Sequence, residues 1–174
     1  MPITLAKAGA ARPGFPAAAR ACLAAYARAV LAREGVARAE VGIVFADDAE
    51  LRRLNADYRG IDRATDVLSF TYVDDGPGAS PRGLEGELYL STARIAAQAR
   101  RYRHTPGAEL LRLVTHGLLH LCGHDHVKAG ERRVMRAAER RALRDDLPRG
   151  GAAAFEAIAR AALRAPAERR AGRA

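Results

Sequence analysis

The stretch that decides the fold and the chemistry of this chain reads HGLLHLCGHDH, residues 116–126. His116 and His120 are four residues apart, so a helix places both side chains on one face, about 5–6 Å apart at Cβ. Gly123 follows, and glycine often ends a helix because it adopts the left-handed conformation without a steric penalty. The chain can then turn back and present His126. Three imidazole ligands leave a fourth position open, so the spacing predicts a catalytic metal site rather than a closed structural one.

The residues before this stretch predict the helix that carries it, from about Pro106 to Cys122. Thr105 is a suitable cap and proline is favoured in a first helical turn. An apolar stripe at helical spacing faces away from the two histidines; it consists of Leu110, Val114, Leu118, Leu121 and Cys122. Core packing is therefore the expected role of Cys122, with metal ligation as an alternative. Glu109 lies in line with the histidines and is either solvated or hydrogen-bonded to a metal ligand.

The spacing of the histidines is also similar to that of the metzincin zinc proteases. Those enzymes carry a glutamate directly after the first histidine as general base, whereas this chain has Gly117. Without that glutamate, peptide hydrolysis would lack its proton acceptor. The sequence still predicts a metal site, but it argues against a protease. Asp125 could orient a ligand histidine or cap the next helix. His124 is expected not to be a ligand.

Two further segments, LNADYRGIDRATDVLSF (residues 54–70) and GELYL (residues 86–90), precede the histidine stretch. Together the three resemble the YbeY family of bacterial metal-dependent endoribonucleases, from about Val41 to Leu143. Three departures are visible, and none touches a presumed ligand: His124 stands where the family usually has tyrosine, Glu87 where it has aspartate, and Thr71 where proline is common.

The resemblance implies that His116, His120 and His126 bind one zinc ion and that Arg59 is needed for activity. It also implies a single-strand-specific endoribonuclease that acts in ribosomal RNA processing and ribosome quality control, with RNA and the ribosome or its assembly factors as partners. The guanidinium of Arg59 suits phosphate binding, because its planar fork matches the phosphate oxygens and it stays charged. Zinc suits three imidazoles, and nickel, copper and iron are compatible with them.

The composition fits a polyanionic partner. The chain has 174 residues, a formal net charge of +9 and two cysteines, which predicts one domain without a disulfide framework. A basic balance favours RNA, and Arg94, Arg100, Arg101 and Arg103 are candidates for phosphate contact. Aromatic residues are few, so no base-stacking platform is expected. No secretory signal or membrane span is recognisable, and a cytoplasmic protein is expected.

The pattern of elements predicts an α+β fold, a single domain with a small mixed β-sheet flanked by helices and the metal site at the end of a core helix. We expect strands at Ile3–Ala6, Glu40–Ala46, Asp66–Tyr72 and Leu88–Leu90, and a loop at Asp74–Gly86. Helices are expected at Pro16–Arg33, from Asp47 or Asp48 to Tyr58, from Ser91 to Tyr102, at Pro106–Cys122 and at Gly130–Leu143.

The end of the chain differs in composition from the rest. Residues 1–147 are expected to form the endoribonuclease domain, and residues 148–174 an alanine- and arginine-rich extension that is partly disordered. Phe155, Ile158 and Leu163 predict a short amphipathic helix within it. The extension is either a tolerated addition or an arm that contacts RNA.

Three functions remain open from the sequence. The first is a metal-dependent endoribonuclease, in which zinc activates water and Arg59 stabilises phosphate charge. The second is a metalloprotease, which Gly117 argues against. The third is a non-catalytic ribosome assembly factor whose zinc only holds the fold.

Overall fold

The computed structural model describes residues 1–8, 14–72 and 83–164. Ten elements lie in these ranges. They follow the order β1 (Ile3–Lys7), α1 (Ala17–Arg33), β2 (Ala39–Ala46), α2 (Asp48–Arg59), β3 (Val67–Thr71), β4 (Leu84–Ser91), α3 (Thr92–Tyr102), α4 (Pro106–Leu121), α5 (Ala129–Asp145) and α6 (Gly151–Leu163).

The four strands form one mixed sheet in the order β1-β2-β4-β3. β1 and β4 run parallel to β2, and β3 runs antiparallel to β4. The expected α+β fold with a small mixed sheet flanked by helices is thus confirmed. Because β3 occupies the edge of the sheet, its alternate residues are available to line a cleft beside α4.

β4 is longer than the sequence suggested, because it begins at Leu84 and pairs with β2 along its whole length. The expected loop through Gly86 is therefore wrong for residues 84–86; most of that loop lies outside the described residues. Gly86 fits a strand here because a Cβ would lie 2.6 Å from the carbonyl oxygen of Phe70. Close approach of neighbouring backbone, rather than a turn, explains this glycine.

The main core lies between one face of the sheet and helices α1, α4 and α6. Val41, Ile43 and Phe45 of β2 are fully buried in it, as expected for a central strand with alternating inward side chains. A smaller apolar cluster lies under α2, formed by Ala46, Leu51, Leu54 and Leu68. Helix α4 is thereby held between the sheet and α6, and its polar edge remains free for the site.

Helix α6 belongs to this core, which therefore continues beyond residue 147. Phe155 and Ile158 are fully buried, and the Phe155 ring meets that of Tyr26 edge-on with centroids 5.6 Å apart. Glu156 accepts a hydrogen bond from the backbone N–H of Gly107 at the start of α4. Lys7 donates to the carbonyl of Ala162 at the other end of α6. The amphipathic helix is thus present as a packed element, and residues 165–174 lie outside the described residues.

The helix ends that bear on the site follow local sequence signals. Thr105 caps α4 by accepting from the N–H of Ala108, and Asp47 caps α2 by accepting from the N–H of Glu50, as short polar side chains do at helix starts. Gly60 ends α2 with φ of 67°. Arg59 is therefore the last residue of α2, at the point where the chain turns toward β3. None of the helices in the described ranges is long and apolar enough to cross a membrane.

Candidate metal centre

Helix α4 carries two histidines to the edge of the sheet on its polar side. His116 and His120 lie in its last two turns, half-buried, and their Nε2 atoms face each other at 3.1 Å. Two nitrogens bound to one tetrahedral zinc, each at about 2.0–2.1 Å, would stand about 3.3 Å apart. The spacing of four residues therefore places two imidazole nitrogens where two ligands of one ion belong.

The third histidine arrives through a tight reversal of the chain. Gly123 has φ of 87°; its N–H bonds to the carbonyl of His120, and the N–H of His124 bonds to that of Leu119. This is the Schellman arrangement, which needs a left-handed residue and satisfies the last helical carbonyls. The chain then brings His126 back, so that one ring nitrogen of each of the three histidines lies within 4.8 Å of the others.

The loop that carries His126 is tied to its surroundings by backbone contacts. Asp125 accepts from the N–H of His126 at 2.6 Å, and this contact is the main reason that the pKa of Asp125 is lowered. Arg132, from the first turn of α5, donates to the carbonyls of His126 and Val127. Asp125 thus supports the loop through the backbone; Lys128, not Asp125, occupies the cap position of α5.

A carboxylate from α5 supports His116. Nδ1 of His116 lies 2.8 Å from Oε1 of Glu139, so the ring donates its Nδ1 proton to the carboxylate and its Nε2 is left to face His120. Metal-binding histidines are commonly oriented in this way. The hydrogen bond from His116 lowers the pKa of Glu139. No local pattern in the sequence indicates Glu139, because it lies 23 residues from His116 and on another helix.

The cluster keeps its central imidazole neutral. Burial lowers the pKa of His120, and the neighbouring imidazoles of His116 and His126 lower it further because a positive charge on one ring disfavours a positive charge on the next. A neutral imidazole is the form that binds a metal. The three imidazoles, of which the ring of His126 is exposed, are suitable ligands for a metal ion such as zinc.

Other residues near the motif have different roles. The ring of His124 lies 2.7 Å from Oε2 of Glu34 at the end of α1 and does not join the three histidines. Burial raises the pKa of the Cys122 thiol to about 11, which disfavours the thiolate that a metal would need. Glu109 is fully buried, where it accepts from Arg112 at 2.5 Å; it is therefore neither solvated nor a partner of the ligand histidines.

Close packing explains why position 117 is a glycine. It is buried on the face of α4 that lies against β4, and a Cβ there would stand 2.8 Å from a methyl carbon of Leu88. A glutamate at this position would point into the core rather than toward the histidines. The base that the metzincin motif supplies one residue after its first histidine thus has no equivalent place in this fold.

The three histidines line one wall of a cleft with a volume of about 530 Å³. A second wall is formed by the end of α2, the loop that follows it and β3; it comprises Arg59, Thr65, Asp66, Val67, Ser69 and Thr71. The structure therefore brings Arg59 and the three histidines to one cleft, although they are more than 50 residues apart in the chain.

Asp66 anchors the middle of that wall. It accepts from the N–H of Val67 and from the amide of Gln98, and Arg112 lies 3.6 Å away. Burial acts to raise the pKa of Asp66, but these hydrogen bonds and the charge of Arg112 outweigh it and lower the pKa. The carboxylate thus stays ionised at the border between the cleft and α3.

Comparisons with known proteins identify the family of this chain. The family model described as endoribonuclease YbeY matches residues 13–145. The endoribonuclease YbeY of Roseiflexus sp. is 48% identical over 111 residues, which cover 60% of this chain and 69% of that protein. The one of Chloroflexus aggregans is 46% identical over 122 residues, covering 65% and 78%.

A solved structure supports the fold alone. The solution structure of a protein from Thermotoga maritima superposes with a TM-score of 0.54 at 24% identity, and the match covers 81% of this chain and 86% of the other. The family match spans the strand, the arginine and the histidine motif that form the cleft. The chain therefore belongs to the endoribonuclease YbeY family.

Proposed function

We propose that this protein is a zinc-dependent endoribonuclease that cleaves single-stranded RNA in the processing of ribosomal RNA and in ribosome quality control, in the cytoplasm. The observation that carries the proposal is the cleft that three convergent imidazoles and Arg59 line together. Its partners would be ribosomal RNA and the ribosome or its assembly factors. The names of the relatives support RNA as the substrate.

His116, His120 and His126 would hold one zinc ion. When bound, zinc supplies Lewis acidity and lowers the pKa of a coordinated water toward ~7. Glu139 holds the ring of His116 with Nε2 toward the site. Arg132 and Asp125 hold the backbone on either side of the third histidine, so the donor set is organised by its neighbours.

Arg59 would hold the phosphate that is cleaved. It is exposed at the end of α2 and lines the same cleft as the histidines. Its neighbours Arg52 and Arg53 are paired with Asp62, Glu50 and Asp57, whereas Arg59 forms no ion pair within the described ranges. A guanidinium in this position can bond two phosphate oxygens and stabilise the charge that grows on them in the transition state.

The two other functions have less support. A protease would need a general base beside the first histidine, and the packing of Gly117 against Leu88 leaves no space for one. A purely structural zinc site is normally closed by four protein ligands, whereas here the three histidines line an open cleft. Cleavage of an oxidised casein substrate by the zinc-loaded protein would favour the protease.

Variants of Arg59 test the proposal on the zinc-loaded protein with a single-stranded RNA. We expect Arg59→Gln to lower kcat by roughly 10²–10³-fold, as loss of one charge-stabilising donor does in other enzymes. Arg59→Lys should recover only part of the lost kcat, because an ammonium group cannot form the two parallel hydrogen bonds that a guanidinium makes to phosphate. Arg53→Gln, on the same helix, is the matched control. Unchanged RNA cleavage in both Arg59→Gln and His120→Ala would sink the assignment as a contaminating activity.

A further inference from the structure

We propose that substrate RNA continues from the metal cleft along the outer face of α3 to a second binding site at the α3–α4 turn, where Tyr102 stacks on a base and Arg101 contacts a phosphate. This inference rests on the proposed function and adds to it the path of the substrate. It starts from a depression of about 690 Å³, lined by residues of α3, the α3–α4 turn and α4.

The depression adjoins the metal cleft. Asp66 lines both, and a third, smaller depression of about 390 Å³ shares Arg59 and Asp66 with the metal cleft and Arg94 and Gln98 with the depression along α3. The three hollows are therefore neighbours, and we call the part from Arg94 to Tyr102 the α3 groove. Arg101 comes seven residues after Arg94 on the helix, so this part is about 10 Å long.

The charge of the α3 groove and its smaller neighbour suits a polyanion. The charged residues that line these two hollows are five arginines and one aspartate, Arg59, Arg63, Arg94, Arg101, Arg112 and Asp66. Arg112 is neutralised by the buried Glu109. The remaining arginines outnumber Asp66, so the lining carries an excess of positive charge. A positively charged groove that tracks the backbone is how proteins bind single-stranded nucleic acid.

Two of these arginines present their guanidinium groups from α3. Arg94 is partly exposed and forms an ion pair with Asp48, whose Oδ1 lies 3.5 Å from its Nε; that nitrogen is buried and has no hydrogen-bond partner within the described residues. Arg101 is exposed, and its guanidinium carbon lies 5.6 Å from the ring centroid of Tyr102. The cation and the aromatic ring therefore stand together at the end of the groove.

Tyr102 gives the groove a surface for a base. It is 58% exposed, and its ring is nearly parallel to that of His104, with an interplanar angle of 19° and centroids 6.1 Å apart. Arg103 makes this possible by ending α3 with φ of 56°, a left-handed conformation that a residue with a Cβ seldom adopts. His104 is held in turn by the buried Glu109, 3.2 Å away. An exposed, supported ring beside an arginine can stack on any base, so this single ring offers a stacking surface that the scarcity of aromatic residues argued against.

The sequence suggested four arginines here, and the structure separates them. Arg94 and Arg101 line the groove, whereas Arg100 is exposed and does not line it. Arg100 is one residue from Arg101 and has the same charge. It therefore serves as the matched control.

The experiment measures the affinity of the zinc-loaded protein for oligouridylates of about 4 and about 16 nucleotides, the range of known single-strand site sizes, and gel analysis shows that the RNA stays intact during the measurement. We expect Tyr102→Ala to weaken binding of the long RNA by roughly 5- to 100-fold, and the short RNA by less. Arg101→Gln should reduce the slope of log K against log salt by about 0.7, the value for one phosphate contact to a single strand. Arg100→Gln should change neither quantity.

Equal losses on short and long RNA, or an equal loss in Arg100→Gln, would overturn the α3 groove as part of the substrate path. Zinc content and the melting temperature of each variant show that the site and the fold persist. The two proposals fail differently. If the unaltered protein cleaves RNA but binds long and short RNA equally, only the groove is wrong. If it neither binds nor cleaves RNA, the proposed function falls as well.

Discussion

Two histidine–carboxylate pairs flank the end of α4, and they look alike in isolation. His116 and Glu139 are 2.8 Å apart, and His124 and Glu34 are 2.7 Å apart. All four side chains are between 18% and 24% exposed. Yet the first pair lies in the candidate metal centre, whereas the second ties the loop after α4 to the end of α1. A carboxylate beside a histidine therefore does not by itself indicate a metal ligand; the candidate centre is marked by the convergence of three ring nitrogens.

The backbone explains why His124 and His126 have different partners. His124 is the residue whose N–H closes the Schellman arrangement at the end of α4, so its position is set by the helix and its ring reaches Glu34. His126 comes two residues later, beyond that constraint, and the loop carries it back to His116 and His120. In a stretch of eleven residues with four histidines, this turn decides which three meet.

Removing His120 from the candidate metal centre or His124 from the second pair should give the largest difference in zinc affinity. His120→Ala should weaken zinc binding by more than about 100-fold, because loss of a ligand exceeds the 10–100-fold typical of losing its supporting residue. His124→Ala should bind zinc normally and lose about 1 kcal/mol of stability, the worth of a hydrogen bond. Competition with a chelator measures both affinities. Loss of zinc in His124→Ala with retention in His126→Ala would exchange the roles that we assign.

Removing the carboxylates instead of the histidines should give a smaller effect in the same direction. Glu139→Gln should reduce zinc affinity by about 10–100-fold, because it weakens the contact that orients His116. Glu34→Gln should leave zinc affinity unchanged and lower only the melting temperature. The same competition assay, with thermal melting alongside, separates a role in metal binding from a role in stability. Equal zinc affinity in the two variants would leave Glu139 as a packing contact only.

The pH dependence of the metal-free protein should show the smallest effect. The pKa of His120 is lowered in the folded state, so below its ordinary value of 6.5 the unfolded chain takes up the proton more readily. Stability is therefore lost as the pH falls below about 6.5, and the melting temperature should fall by a few degrees. His120→Asn should lessen this slope between pH 7 and pH 5. An unchanged slope would mean that another group causes the acid sensitivity.

Several features of the fold could be predicted because their signals are local. Helix α4 starts at a threonine–proline pair, follows an apolar stripe and ends at a glycine, and the structure has it at Pro106–Leu121. Asp47 and Ser91 cap the helices that follow them. Strand β4 was underestimated because its first half contains Gly86 and two glutamates, and only pairing with β2 makes that segment a strand. Helix α6 was set apart by composition, although its packing against Tyr26 places it in the core.

The sequence by itself determined which three histidines can reach one ion, because a spacing of four on a helix followed by a glycine reversal is a local geometric constraint. It also marked Arg59 through the motif around it. The tertiary structure alone decided that Arg59 lines one cleft with those histidines, that Glu139 bonds to His116 and that Gly117 packs against Leu88. These relations join segments distant in the chain, and packing of α2, α4 and α5 around the edge of the sheet brings them together.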